Sequence, residues 1–458
     1  VYTFENMEFI NDLLVHMISY AEWGMLFLLV GGGLFLVFYS GLRPYRYFRH
    51  AIEITTGKYD TGHAKGEVSH WQALASAVAA TVGLGNISGV AIAIYQGGPG
   101  VVFWIWVTAL IGICIKFYSC TLAVMFRGQD SEGQVQGGPM YYMIHGIGKH
   151  AKPLAVFFSV VGLIGFLGVF TANQFTQTVM VVLNPSETTG MGTDFGWRLG
   201  IGVVLAATTA VVIFGGLKKI ARVASTIVPV MVVLYFAVVL LVMIRFADQI
   251  IPSFQLIFTE AFDPKTATVG TLGALILIGV RRAMFSNEAG LGSAPMYHGQ
   301  SRTDEPVHEG LVAMLGPFID TIVVCTLTAL VILLTGAHLE AESNGILMTL
   351  IAFKKALFGY GDILLLVIVA AFAFSTLFTY SYYGVKSLTF LSNAKSGRYF
   401  NFFYVATIVG AAVVSVDLVI NLIDLAYILM VIPNMIAVLI LAPHVNRAAR
   451  TYFDSLRS

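Results

Sequence analysis

Residues 72–98 read QALASAVAATVGLGNISGVAIAIYQGG, long enough to cross a membrane as one helix but interrupted near the centre by Gly83, Gly85 and Gly89 around Asn86 and Ser88. Helix propensity is lowest there, since each glycine costs about 1 kcal/mol relative to alanine in a helix interior. Unwinding between Thr81 and Asn86 would leave carbonyls at the end of the first half to hold a cation. Free amides opening the second half would face an anion. An amino-acid carboxylate together with a sodium ion fits such a break. A continuous helix whose glycines only permit close packing is the other reading of the same residues.

Residues 268–299, TVGTLGALILIGVRRAMFSNEAGLGSAPMYHG, form a second interrupted run that carries Arg281, Arg282 and Glu288. A charge at a bilayer centre costs at least about 2.5 kcal/mol, so these groups face protein or water. A break around Ile278, Gly279 and Val280 would offer carbonyls to an ammonium, with the arginines and Glu288 lining a cytoplasmic exit. The competing reading makes the three charges a structural ion-pair cluster.

The surrounding chain is consistent with lipid. Of 458 residues, 57% are hydrophobic and 11% charged, with a mean hydropathy of +0.81, whereas soluble chains carry roughly 25% charged residues. Apolar runs of roughly 20 to 28 residues recur, the length that spans a hydrocarbon core about 30 Å thick. Lipid offers no backbone partners, so these runs are helices. About eleven spans are expected, near 21–41, 72–96, 99–126, 153–182, 198–217, 220–246, 268–296, 306–335, 361–387, 399–417 and 418–443.

The net charge of +1 and the scattered basic residues give no footprint for nucleic acid. Cys114, Cys120 and Cys325 lie inside apolar runs, without disulfide or metal spacing. Residues 1–20 are acidic rather than basic, so the first span reads as retained; Met7 is a candidate start, and the first six residues carry no weight. One set of alternate loops holds most Lys and Arg, including Arg43, Arg46, Arg49, Arg127, Lys218, Lys219, Lys395 and Arg398. Positive loops stay inside, which puts the N-terminus outside, the C-terminus in the cytoplasm and the protein in the cell membrane.

An odd span count agrees with that orientation. Setting residues 1–71 aside, the rest divides into five-span blocks at 72–247 and 268–443, joined by an extracellular loop at 248–267 and followed by a tail at 444–458. Each block opens with a glycine-interrupted helix. Because five is odd, the second block enters from the opposite side, the inverted-repeat plan of many secondary transporters.

Three further spans carry polar groups. Span nine, LLLVIVAAFAFSTLFTYSYYG from residue 364, has adjacent hydroxyls at Ser375 and Thr376. Small hard cations take oxygen ligands, although such hydroxyls usually bond their own helix. Span eight carries Asp320 at its centre, which marks an ion path or pairs with Arg281 or Arg282. In span four, Gly168, Thr171 and Gln174 share a helical face that is either a ligand wall or an interhelical polar clamp.

With these residues in view, the chain resembles the alanine or glycine:cation symporter family (sodium:alanine symporters), within the group sharing the leucine-transporter (LeuT) fold. GGPGVVFWIWVTALIG, residues 97–112, is similar to the family signature, with Val101 where a small residue and Ile105 where Met is usual. FSNEAGLGSAP, residues 285–295, is similarly family-like, and the resemblance covers essentially the whole chain. More distantly, Ala80 and Val82 to Asn86 resemble the first core helix of the LeuT fold. That resemblance implies a sodium site from the carbonyls of Ala79, Val82 and Phe372 and the hydroxyls of Ser375 and Thr376. It also implies that the Leu84 and Gly85 amides hold the substrate carboxylate. Gly89 stands where the wider fold often has a gating arginine, so that outer ion pair is not carried over. Thr81 replaces an alanine beside a second sodium position involving Asn86 and Asp320, and one sodium is the expected stoichiometry.

The expectation is therefore an all-α membrane protein with a LeuT-like core of spans two to eleven, an extra first helix and a short outer helix at 345–358. It would carry alanine or glycine with sodium by alternating access, with no other cofactor, and nothing in the sequence fixes its oligomeric state. A proton-coupled symporter with Asp320 titrating is the nearest alternative, and an ion channel a more distant one. No HExxH, GxSxG or P-loop pattern suggests an enzyme.

Overall fold

A computed structural model describes residues 2–59, 65–183, 194–263, 271–340, 345–357 and 359–456. Among these residues, nine helices are long and apolar enough to cross a membrane: α1 (Phe9–Tyr39), α2 with α3 (His70–Gly97), α4 (Val101–Met125), α5 with α6 (Lys149–Leu183), α7 (Phe195–Ile213), α8 (Gly216–Arg245), α11 (Pro306–Leu334), α13 (Gly361–Leu391) and α15 (Val416–Ser455). The other two expected spans are also helical: α9 (Leu272–Asn287), with 16 residues before its break and continued by α10 (Ala294–His298), and α14 (Ala394–Ala411). The expected outer helix is α12 (Ile346–Ala356). Thr268, the expected start of the second block, and Phe358 lie outside the described residues.

Local chemistry sets where the first interrupted helix begins and stops. Ser69 caps α2 (His70–Thr81) in a reciprocal box: its Oγ accepts from the Gln72 amide at 3.2 Å, and the Gln72 side chain accepts from the Ser69 amide at 3.1 Å. The helix ends at Val82, and α3 (Leu84–Gly97) restarts after Gly83, which is extended at φ −144°. The Gly83 amide, which would bond Ala79 O in an unbroken helix, donates instead to Asn86 Oδ1 at 3.3 Å.

The second interruption is displaced from its expected place. Helix α9 runs unbroken through Ile278, Gly279 and Val280 and stops at Glu288, whose φ of +53° is rare for a non-glycine residue. Gly290 and Gly292, both at positive φ, carry the chain to α10. Gly279 serves packing, since an added Cβ would stand 2.5 Å from Trp104 Cβ on α4. Local glycine and charge do not unwind a helix that has a flat partner to lie on; a run of left-handed positions does.

Span four also breaks, between α5 (Lys152–Gly165) and α6 (Val169–Leu183). Helix α11 contains a π-helical stretch, Phe318–Cys325, around Asp320, just after Pro317. Such stretches concentrate at functional sites. Helix α1 begins before residue 21, where its span was expected to start. Its polar groups there have partners: Asn11 with Asn421 at 2.8 Å, and Glu22 with Arg281.

Candidate functional site

The break between α2 and α3 faces a small cavity of about 20 Å³. Its walls include Thr81, Leu84 and Gly85 at the break, Thr171 on α6 and Thr376 on α13. Phe170, Phe285, Tyr380 and Tyr427 add aromatic rings, and Leu167 and Ile423 aliphatic surface. Phe170 and Phe285 meet edge to face at 4.7 Å, and a Cβ on Gly85 would stand 3.0 Å from Phe285 Cδ1. The amides of Leu84 and Gly85 open α3, where no intrahelical acceptor lies within reach.

Behind this wall, α13 approaches the end of α2. The Thr376 hydroxyl donates to Ala79 O at 3.3 Å, and Ser375 donates to Phe372 O at 2.9 Å. Both hydroxyls are buried. Gly83 makes the approach possible, since any side chain there would begin 2.3 Å from Thr376 Oγ1. Four of the five expected cation ligands thus share two hydrogen bonds; Val82, the fifth, is the residue that ends α2.

Asn86 is buried behind the cavity and ties three elements together. Its Nδ2 donates to Ser286 Oγ at 3.1 Å and to Asp320 O at 2.8 Å, and its carbonyl accepts from Thr328 at 2.8 Å. Asp320 accepts from Thr321 through Oδ1, while its buried Oδ2 has no hydrogen-bond partner among the described residues. The structure rules out the expected alternative of an Asp320 pair with either arginine. The buried Lys116 on α4 is closer: an added Cβ on Gly316, one turn from Asp320, would lie 3.3 Å from its Nζ.

Arg281 and Arg282 occupy the half of α9 that precedes the break, on the opposite side of the cavity from the C-terminal tail. Both arginines are held in ion pairs there, as the structural-cluster reading has it, while Glu288 pairs with neither of them. Arg282 Nη2 bonds Asp424 Oδ2 at 2.7 Å, and Arg281 pairs with Glu22. Arg282 also lies over the Phe285 ring at 5.7 Å, which sets the Arg282–Asp424 pair directly above the cavity wall. Glu288 sits at the break itself, where it accepts from Ser293 and Tyr380; Tyr380 meets Tyr427 at 2.8 Å.

Of the other expected ligands, Ile278 lies within α9 and Gly279 against Trp104, and neither lines the cavity. Gly168 is pressed against Leu377 and Tyr404. Gln174 takes the Ser88 hydroxyl at 2.5 Å and lies off the cavity.

A polar cluster closes the tail side. Glu309 on α11 joins His70, the first residue of α2, and His298, the last of α10, the latter at 2.5 Å. Arg127, beyond the end of α4, donates to Gly299 O and Thr303 O at 2.8 Å each and to Ser301 O. Burial pulls the Arg127 pKa below the usual guanidinium value, with Glu309 and Asp304 opposing the shift. The buried Cys120 packs there among Ala77, Ala294 and Ala313.

A helical bundle in which two membrane helices break beside one small polar cavity defines the class of LeuT-fold secondary transporters. The crystal structure of MhsT in complex with L-phenylalanine has this fold, with a TM-score of 0.59 and 16% identity over 82% of this chain and 98% of that one. The sodium:alanine symporter family model matches residues 7–458, and the chain belongs to that family. The sodium/alanine symporter AgcS of Methanococcus maripaludis is 39% identical, with 95% of each chain covered. The probable sodium/glutamine symporter GlnT of Bacillus subtilis is 35% identical over 96% of this chain and 91% of its own. The protein is accordingly an integral membrane amino-acid:cation symporter and not an enzyme.

Proposed function

We propose that the protein imports a small neutral amino acid, alanine or glycine, with one sodium ion by alternating access. The observation that carries this reading is the approach of Thr376 to Ala79 at the break in the first interrupted helix. Sodium takes the carbonyls of Ala79, Val82 and Phe372 with the hydroxyls of Ser375 and Thr376, an all-oxygen set suited to a hard cation. The substrate carboxylate takes the amides of Leu84 and Gly85 at the positive end of α3. Thr81 and Thr171 border it, and Asn86 holds the break open from behind. The aromatic walls of so small a cavity favour a short side chain over a long one.

Movement is assigned to the two polar closures. The N-terminus faces outward, Arg282 with Asp424 is the outer gate, and Glu309 with His70 and His298 is the cytoplasmic one. Residues 72–247 and 268–443 are the two repeats, and their relative rocking opens one closure while the other holds. The names of the relatives, which pair sodium with alanine or with glutamine, support sodium as the driving ion.

Uptake of labelled amino acids into proteoliposomes tests this reading. Alanine or glycine accumulation should require an inward sodium gradient and persist when the proton gradient is collapsed. Accumulation driven by a proton gradient without sodium would replace sodium coupling with the proton-coupled alternative centred on Asp320.

A further inference from the structure

A second crevice, of about 450 Å³, opens on the tail side of the bundle, where α7 turns into α8 and α13 into α14. It shares no lining residue with the transport cavity, although Ser381 and Tyr382 of the crevice directly follow Tyr380 of the cavity on α13. Phe214, Leu217 and Phe402 supply apolar walls. Phe214 and Phe402 meet at 4.8 Å yet remain 49% and 63% exposed, so the walls open outward rather than into the protein.

Lys395 and Arg398, on the first two turns of α14, also line the crevice. The Lys395 side chain has no hydrogen-bond or ion-pair partner among the described residues. Arg398 shares its charge with Glu132 at 2.9 Å but stays 60% exposed, leaving donors for another acceptor. Asn401, one turn further on, lines the same space and is only 8% exposed; its Oδ1 is buried without a partner. A buried acceptor left unpaired costs about 1–3 kcal/mol, which a donor entering the crevice would recover.

An apolar slot at helix ends, two cations and an unused acceptor describe an amphiphile with an anionic headgroup that also carries a hydroxyl. We propose that this crevice binds one anionic glycerophospholipid of the phosphatidylglycerol class. Its phosphate lies against Lys395 and Arg398, a headgroup hydroxyl donates to Asn401 Oδ1, and an acyl chain lies along Phe214, Leu217 and Phe402. Phosphatidylcholine matches neither polar feature, having no net negative charge and no hydrogen-bond donor. Basic sites between membrane helices are known to take anionic headgroups.

Native mass spectrometry of the full chain, titrated with phosphatidylglycerol or phosphatidylcholine, tests the assignment. One phosphatidylglycerol adduct should persist at activation energies that strip phosphatidylcholine. Lys395→Ala with Arg398→Ala should weaken it about five- to thirty-fold, as expected for two cations at a lipid headgroup. Leu217→Trp, which fills the slot and leaves every charge in place, should weaken it independently. Lys395→Ala alone guards against misfolding, since that side chain holds no other described residue, and should give a smaller loss in the same direction. Equal retention of the two lipids overturns the proposal. So does an adduct indifferent to all three variants, or displacement by free glycerol phosphate, which would mark a small-anion site.

Discussion

The Thr376 hydroxyl on α13 bonds the carbonyl of Ala79 on α2 across 297 residues of sequence at 3.3 Å. The bond exists because α2 loses its ladder one turn later, where the Gly83 amide turns to Asn86. A carbonyl released from its helix and a hydroxyl from a neighbouring helix thus meet in a buried place, which is what a dehydrated cation requires of its ligands.

Gly83→Ala places a methyl 2.3 Å from Thr376 Oγ1. The expected outcome is a destabilisation of about 1–3 kcal/mol from overpacking, with at least a ten-fold loss of alanine uptake. Adding Thr376→Ala should restore the thermal midpoint without restoring uptake. That split, read by thermal unfolding and transport on the same samples, separates packing from ion binding.

Asp424→Leu leaves the buried Arg282 without its charged partner among the described residues. Stability should fall by about 3–5 kcal/mol, because an unpaired buried charge costs more than the pair contributes. Arg282→Met with Asp424→Leu should recover most of that loss in a denaturation experiment. If the pair is also the outer gate, the double variant will bind alanine and fail to occlude it.

Glu309→Gln removes the charge that holds His70 and His298 together on the tail side. Losing charge-assisted bonds worth about 1.5–3 kcal/mol raises the population of the open form about ten-fold or more. Cys120, fully buried beside this cluster, is a native reporter. Its maleimide labelling should accelerate by the same factor, and an unchanged rate would remove the cluster from the gating scheme.

Phe170→Ala widens the cavity opposite Gly85. The ratio of alanine to leucine uptake should fall by about ten-fold or more, within the 1–3 kcal/mol that a hydrophobic pocket assigns to a methylene. Competition of labelled alanine uptake by unlabelled leucine measures it.

The fold was legible in the sequence because lipid constrains the chain so strongly: apolar run lengths and glycine interruptions suffice to indicate membrane helices with a break at Gly83. The second break was not, because its position depends on what lies alongside. Ile278 and Gly279 sit next to glycine and two arginines, yet Trp104 gives that segment a packing surface, and the chain unwinds ten residues later at Glu288. The rule that picked out Asp320 applies equally to Asp424, Lys116 and Lys386, whose apolar surroundings carried the same signal unread. Phe170, Phe285, Tyr380 and Tyr427 had none, since a cavity aromatic and a core aromatic look alike in one sequence. His70, His298 and Glu309 lie at span ends, where polar residues are ordinary; only the fold brings them together.

The most direct measurement is the sodium dependence of alanine uptake into proteoliposomes by the native protein and by Ser375→Ala with Thr376→Ala. Loss of two oxygen ligands should move half-saturation to at least about ten-fold higher sodium while the protein stays folded and reconstituted, in line with about 1.4 kcal/mol or more of lost ion binding. A sodium curve superimposable on that of the native protein would contradict the assignment of the driving ion to the break in the first interrupted helix.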